Sequence, residues 1–166
     1  MENAIISAVT HDTSEAKMTV SGVPDQPGVA AKLFRSLADA DVNVDMIVQN
    51  VSDAGATDIS FTLPHEQVSA ATATVDALVA EIGAKGVVTD TGIGRVSLTG
   101  AGMQTNPGVA ATMFETLSTS GINIEMISTS AIRISCVVRE DQAEQAVTVL
   151  HAAFELDKAP ANRSDI

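Results

Sequence analysis

The sequence predicts an α+β protein built from two copies of one small unit, the first inserted within the second. Three observations predict it. A segment of the first half recurs in the second, strand-like and helix-like periodicities follow one another in the same order in both copies, and a spare strand precedes both copies where the second is one strand short. Pro27 to Ile47 aligns with Pro107 to Ile127 without a gap, and ten of the 21 positions are identical. Other pairs are conservative: Val42 with Ile122, Val44 with Ile124, Asp45 with Glu125.

Each copy opens on a strand-like run ending in glycine, Lys17 to Gly22 and Arg95 to Gly100, with β-branched residues at alternate positions. A turn-rich loop then reaches Pro27 or Pro107, residues suited to the first turn of a helix, where a missing N–H costs nothing. Val29, Leu33 and Leu37, and likewise Val109, Met113 and Leu117, recur at helical spacing, and Phe34 and Phe114 widen each stripe. An alternating strand is expected next, with Val42, Val44, Met46 and Val48 on one face and Asn43, Asp45 and Gln49 on the other, answered by Ile122, Ile124 and Met126. Third strands are read over Thr57 to Leu63 and Ile132 to Val138. Second helices follow from Val68, Val75, Leu78, Val79 and Ile82, ending near Gly83, and from Ala143, Val147, Leu150 and Phe154.

Each unit so far reads βαββα. The first copy continues into a fourth strand, Gly86 to Asp90, whereas the second runs straight into a polar tail. The run Ala4 to Thr10 belongs to neither copy and is expected to complete the second sheet. The predicted units are residues 14–91 and residues 1–13 with 92–157, leaving 158–166 as a flexible tail.

Composition excludes several classes. A formal charge of −12 with no Trp or Tyr argues against nucleic acid, which asks for clustered cations and stacking aromatics. No apolar run reaches the roughly 18 to 20 residues of a membrane span, and no secretion signal is legible, so the expected location is the cytoplasm. The lone Cys136 sits in an apolar strand and reads as a core residue. His11, His65 and His151 stand apart without metal-ligand spacing, so no metal is expected. The runs at Gly92 to Gly94 and Gly100 to Gly102 complete neither GxGxxG nor a P-loop, so they read as turns, and no cofactor is expected.

The sequence resembles the C-terminal regulatory region of the aspartate kinases, in particular the separately made small (beta) subunit. The residues that carry the resemblance are His11 to Phe34, Ala38 to Ser52 (with VQNVS), Thr57 to Pro64, Gly94 to Met103, Asn106 to Leu117, and INIEMISTS with IRIS from Ile122 to Ser135. It covers residues 9–156. A chain beginning at Met1 without a kinase portion resembles the independently translated subunit, an engineered fragment being the other reading. The resemblance implies two ferredoxin-like βαββαβ ACT domains, the N-terminal strand donated to the second. It also implies a homodimer that sets the first domain of one chain beside the second of the other, and a catalytic alpha subunit as further partner.

The loop Pro24 to Ala30 brings backbone N–H groups to a helix start, which attracts a carboxylate, and Gly28 lets a ligand approach the backbone. Asp25 suits an ammonium or hydroxyl, and Gln49 can hydrogen-bond from the sheet. The resemblance maps Asp25, Gly28, Val29, Ala30 and Gln49 onto one half of a threonine site, closed by Asn123 and Ile124 of a second copy. By symmetry a second effector pocket would involve Met103, Asn106, Gly108, Val109, Ala110 and Ser130, facing Asn43, Val44 and Asp45. In the family that pocket can take lysine through a Glu directly after the STS triplet; here the position is Ala131, which removes an anionic partner from an ammonium unless Asp45 replaces it. Ser52 and Ser60 fall where the resemblance implies feedback-sensitivity positions.

Two other readings compete: an ACT-type dimerisation scaffold without effector, which would not need Asp25 or Gln49, and a small ferredoxin-like hydrolase using Arg133 and Asn123 as anion handles. The expectation remains a non-catalytic, feedback-sensing chain. Ser52→Tyr is expected to crowd the threonine seam, and titration calorimetry giving an unchanged threonine affinity for that variant would contradict the placement.

Overall fold

A computed structural model describes residues 5–50 and 54–156, so the expectations for Ser52 and for the tail from 158 lie outside the described residues. In chain order the elements are β1 (Ile5–Asp12), β2 (Glu15–Pro24), α1 (Val29–Asp39), β3 (Ile47–Gln49), β4 (Ala56–Pro64), α2 (Val68–Ile82), β5 (Gly86–Asp90), β6 (Ile93–Ala101), α3 (Gly108–Thr119), β7 (Met126–Thr129), β8 (Arg133–Arg139) and α4 (Ala143–Ala153). Two four-stranded sheets result, ordered β3-β4-β2-β5 and β7-β8-β6-β1. Within the first, β2 and β3 both run antiparallel to β4 and so parallel to each other, with α1 as their crossover. The second sheet repeats this order, with β1 where the first has β5. The first unit, Ser14–Ile93, is thus an insertion between the two segments that form the second.

The first unit closes over a core from both helices and the central strands. Met18 and Val20 of β2, Ile59, Phe61 and Leu63 of β4, Leu33 and Leu37 of α1, and Val75 of α2 are almost fully buried. Phe34 meets Phe61 edge to face, with centroids 5.7 Å apart and planes at 73°, an arrangement the ring quadrupoles favour. Gly83 stops α2 in the left-handed region at φ 77°, and the following Ala84 N–H returns to the Val79 carbonyl at 2.9 Å.

The second unit repeats the plan with Val96 and Leu98 of β6, Ile134, Cys136 and Val138 of β8, Val109, Met113 and Leu117 of α3, and Leu150 of α4. Burial pushes the Cys136 thiol up to about 12, so it stays protonated and packs as a small apolar group. Val9 of β1 joins this core, and the His151 Nε2 of α4 lies 3.4 Å from the Val9 carbonyl oxygen.

Two local expectations are corrected. The alternation from Val42 to Val48 is not one strand, because the ladder starts only at Ile47. Asp45 donates to the Thr62 carbonyl and Thr62 donates to the Met46 carbonyl, each at 3.0 Å, so two residues oppose one in the manner of a β-bulge. The phase then inverts. Val42 and Val44 pack on the core, but beyond the bulge Ile47 and Gln49 share the helix-side face with Phe61 and Ile59, and Val48 turns to the other face with Ser60. The second unit does the same: Glu125 donates to the Val137 carbonyl at 2.8 Å while Met126 pairs with Val137. The prolines are corrected too, since Pro27 and Pro107 lie just before the helices; Gly28 caps α1 and Pro107 itself caps α3.

Gly100 marks how tightly β1 lies on β6. A Cβ there would sit 2.5 Å from the Ile5 carbonyl oxygen and 3.1 Å from the Ile6 Cα, and neither can retreat without moving the strand. Gly100→Ala is expected to destabilise the protein by about 1 to 3 kcal/mol in urea unfolding. Amide exchange should accelerate first in β1, and uniform protection across β1 would contradict the assignment.

Candidate functional site

The entrances to α1 and α3 are built on the same turn. Val29 donates to the Gln26 carbonyl at 3.4 Å, and Val109 donates to the Asn106 carbonyl at 3.2 Å, so the chain folds back one step before each helix. In the first unit Lys32 closes a helical bond to the Gly28 carbonyl at 3.0 Å. The N–H groups of Gly28, Ala30 and Ala31 precede it and have no partner within the helix. Neither cap residue carries a side-chain acceptor for them, since one is glycine and the other proline. Gly28 adopts φ 90°, a conformation that a Cβ would strain.

The residues expected in the first half-site come to one end of the unit. Asp25 follows directly on β2, is exposed, and donates its own N–H to the Gly55 carbonyl at 2.9 Å, so that N–H serves the loop. Gln26 likewise spends its N–H on the Pro24 carbonyl. The expectation of many N–H groups offered by this loop is thereby narrowed to those at the helix start. Gln49 is the last residue of β3 and pairs with Ile59, which places it on the sheet face that carries α1. Asp25, Gly28 and Gln49 are exposed, and Val29 and Ala30 half-buried.

Asn123 and Ile124 lie together in a concavity of about 340 Å³ with Phe114, Ser118 and Gly121. Their counterparts in the first unit are occupied locally: Asn43 donates its N–H to the Gln67 Oε1 at 2.6 Å, Val44 packs on the first core, and Asp45 takes part in the bulge. Ser60 faces away from the helices, its hydroxyl 2.8 Å from the Thr19 Oγ1. Ser97 and Ser135 repeat that cross-strand hydroxyl pair at 2.9 Å in the second unit.

The second expected set is the one gathered into a single cleft. Met103, Asn106, Val109, Ala110 and Ser130 line a concavity of about 450 Å³, within the range of small-ligand sites. Gly108 stands at its edge as the first residue of α3. Pro107, Thr129, Ala131 and Ile134 complete the lining. Thr129 and Ile134 were not anticipated; the repeat contained the signal for Thr129, which holds the place in the second copy that Gln49 holds in the first. The hydrolase reading loses its geometry, because Arg133 opens β8 beside the β7–β8 turn while Asn123 precedes the Met126–Val137 pairing at the other end of the strand. Among the described residues no group of three or more His, Cys, Asp or Glu could hold a metal ion, and no helix is long and apolar enough to cross a membrane.

Comparison with known proteins agrees with this architecture. The ACT domain family matches residues 18–78 and 96–154, more than half of the chain. An aspartokinase of Mycolicibacterium smegmatis is 52% identical over 158 residues, which are 94% of this chain and 38% of that protein. An aspartate kinase of Pseudomonas fluorescens (strain SBW25) is 48% identical over 165 residues, 99% of this chain and 40% of that protein. The chain therefore spans about two fifths of the length of the curated relatives it matches. Among solved structures, that of aspartokinase alpha and beta subunits superposes with a TM-score of 0.85 at 41% identity, covering 91% of this chain and 99% of the matched one. The ligand-free regulatory subunit of aspartate kinase from Thermus thermophilus gives a TM-score of 0.85 at 37% identity, covering 90% and 98%. Two ACT matches over most of its length, and regulatory chains of this kind matched almost end to end, mean that the chain belongs to the ACT-domain family as the regulatory part of an aspartokinase.

Proposed function

We propose that this chain senses threonine at the entrance to α1 and transmits its occupancy to a catalytic aspartokinase chain, which phosphorylates aspartate with ATP. The observation that carries the reading is the pairing of an exposed carboxylate, Asp25, with a helix entrance whose cap is a bare glycine at φ 90°. An amino acid needs both: N–H groups for its carboxylate and an anion for its ammonium. Gln49, on the α1 face of the sheet, is within the same end of the unit and offers an amide to the ligand's hydroxyl.

In this reading a second copy closes the site with its Asn123 and Ile124, and the chain works as a cytoplasmic homodimer. The α3 cleft is the second effector pocket, closed by Asn43, Val44 and Asp45 of the other copy; the resemblance implies that this pocket can take lysine, with Ala131 here in place of the family's Glu. Regulation is linkage: threonine binds one arrangement of the paired domains more tightly, and a coupling of about 1 to 3 kcal/mol is enough for strong feedback. A pure dimerisation scaffold would make the same folds without any use for Asp25.

Threonine at a hundred times its dissociation constant is expected to raise the unfolding free energy of the wild type by about 2.7 kcal/mol. Asp25→Ala should weaken threonine at least tenfold by calorimetry, about 1.4 kcal/mol, while changing stability without ligand by less than about 0.5 kcal/mol, since the side chain is exposed. A wild type indifferent to threonine in both measurements would leave the scaffold reading standing.

The two helix entrances should answer alanine differently. Gly28→Ala puts a Cβ on a left-handed backbone and is expected to cost about 1 to 2 kcal/mol. Gly108→Ala meets no atom within 4 Å, and as a helical residue should be neutral or stabilising by up to about 1 kcal/mol. Equal losses in chemical denaturation would contradict the conformational assignment.

A further inference from the structure

The loop that leads to the α1 entrance is rooted in an irregularity of the first sheet. The β2–β4 register breaks between Val20 and Val23, so Ser21 and Gly22 together face Asp58, two residues against one. Gly22 takes φ 62° there and donates its N–H to the Asp58 Oδ1 at 3.0 Å. Pro24 and Asp25 follow at once, and the Asp25 N–H goes to the Gly55 carbonyl.

The turn between α2 and β5 closes on this root. The Lys85 N–H donates to the Ser21 carbonyl at 2.8 Å. Its side-chain stem lies over Gly22: a Cβ on that glycine would sit 2.5 Å from the Lys85 Cγ and 2.7 Å from its Cδ. Gly83, two residues earlier, lies against Pro24, whose Cγ would be 3.3 Å from a Cβ there. Lys85 as a whole residue is exposed, so what it gives the fold is the apolar stem, with the charge left in water. Ser21, Gly22, Asp58 and Lys85 also border a concavity of about 510 Å³. A shortened stem therefore widens an open space beside the one residue of the bulge that has no side chain and the greatest backbone freedom.

The second copy makes the same closure by different means. Gly100 holds the place of Gly22, and a Cβ there would meet the Ile5 carbonyl oxygen at 2.5 Å and the Ile6 Cα at 3.1 Å. Both units thus cover a glycine near the end of an inner strand with chain entering the fourth strand, β5 in one and β1 in the other, although the two arrive by unrelated routes. The cover at Gly100 includes backbone, whereas at Gly22 it is one flexible side chain. A side-chain substitution can release the first root, and that root leads to Asp25, where the second loop has Thr105.

We propose that the Lys85 stem is a positioning element of the threonine site: seated on Gly22, it holds the loop root so that Asp25 and the Gly28 entrance stand ready for the ligand. The proposal rests on the effector-binding reading above and adds the α2–β5 turn to it. A loop already in its bound shape spares the ligand the cost of ordering it, so the contact raises affinity without touching the ligand.

The test is calorimetric titration of the full chain with threonine, for the wild type, Lys85→Ala and Lys85→Met, joined to amide exchange without ligand. Methionine keeps an unbranched stem and loses the charge. Lys85→Ala is expected to weaken threonine by about fivefold or more, and Lys85→Met to stay within about twofold of the wild type. In the Ala variant the Gly22 and Asp25 amides should exchange faster, while those of Met18 and Phe61 in the inner strands keep their protection and report that the fold is intact. A Met variant as weak as the Ala variant would assign the effect to the ammonium and overturn the proposal. So would an Ala variant that binds threonine like the wild type, leaves exchange at Gly22 and Asp25 unchanged, or loses protection equally at Met18 and Phe61; threonine sensing stands in each of these cases. A wild type that binds no threonine overturns the effector reading and this proposal with it.

Discussion

The pairing of β1 with β6 constrains everything else in this chain. A sheet of this kind needs four strands over two helices, and the second copy of the repeat supplies only three after its own start. The fourth comes from the opposite end of the sequence, running from Ile5 opposite Ala101 to Asp12 opposite Arg95. Once that ladder forms, Asp12 and Arg95 are held side by side, and the whole stretch Ser14–Ile93 between them must fold as a closed excursion. The excursion can do so because it is a complete copy with its own fourth strand, β5, and its own core. Val9 shows that the donated strand is more than an edge cover, since it is buried with Leu98 and Leu150 in the core of the second unit.

Much of this could be read before any coordinates. A gapless repeat fixes the number of units, and counting strands against copies leaves Ala4 to Thr10 with one place to go. Alternation, however, reports only which side chains want burial, and Val42, Val44, Met46 and Val48 are all apolar. It is blind to the two-against-one pairing at Thr62, which turns Val48 from the helix-side face and brings Gln49 onto it. That inversion matters for the site: on a regular strand continuing the phase of Val42 and Val44, Gln49 would sit on the face away from α1. Which backbone N–H groups a loop keeps for itself was equally illegible, because the bonds of Asp25 to Gly55 and of Gln26 to Pro24 depend on how the loop closes. Domain repetition was the better guide, and followed one step further it pointed to Thr129 through Gln49.

Duplication followed by divergence explains why the two entrances resemble each other in backbone and differ in side chain. The turn that admits each helix is fixed by local geometry, Val29 to Gln26 and Val109 to Asn106, and it repeats because the packing of Leu33 or Met113 below it requires the same approach. The cross-strand hydroxyl pairs, Thr19 with Ser60 and Ser97 with Ser135, repeat for a similar reason: each satisfies two polar groups on adjacent strands of one sheet. Asp25 and Thr105 are under no such constraint. They stand on exposed loop surface, where a change of charge costs the fold little and alters what the loop can recognise.

The same packing determines what a ligand at an entrance can do. Gly28 opens directly onto a helix whose next turns bury Leu33 and Leu37 and whose Phe34 lies against Phe61 of the central strand β4. Interiors packed this densely move as bodies, and a local push cannot be absorbed by sliding one side chain. A ligand seated at such an entrance therefore has two options: to bind without mechanical effect, or to favour one placement of the whole domain against a neighbouring chain. Only the second does regulatory work, and it requires the ligand to touch both bodies, since a contact confined to one is equal in both states and shifts nothing. On the proposed reading, that is the physical reason for placing an effector site at an open entrance and drawing its remaining wall from another copy.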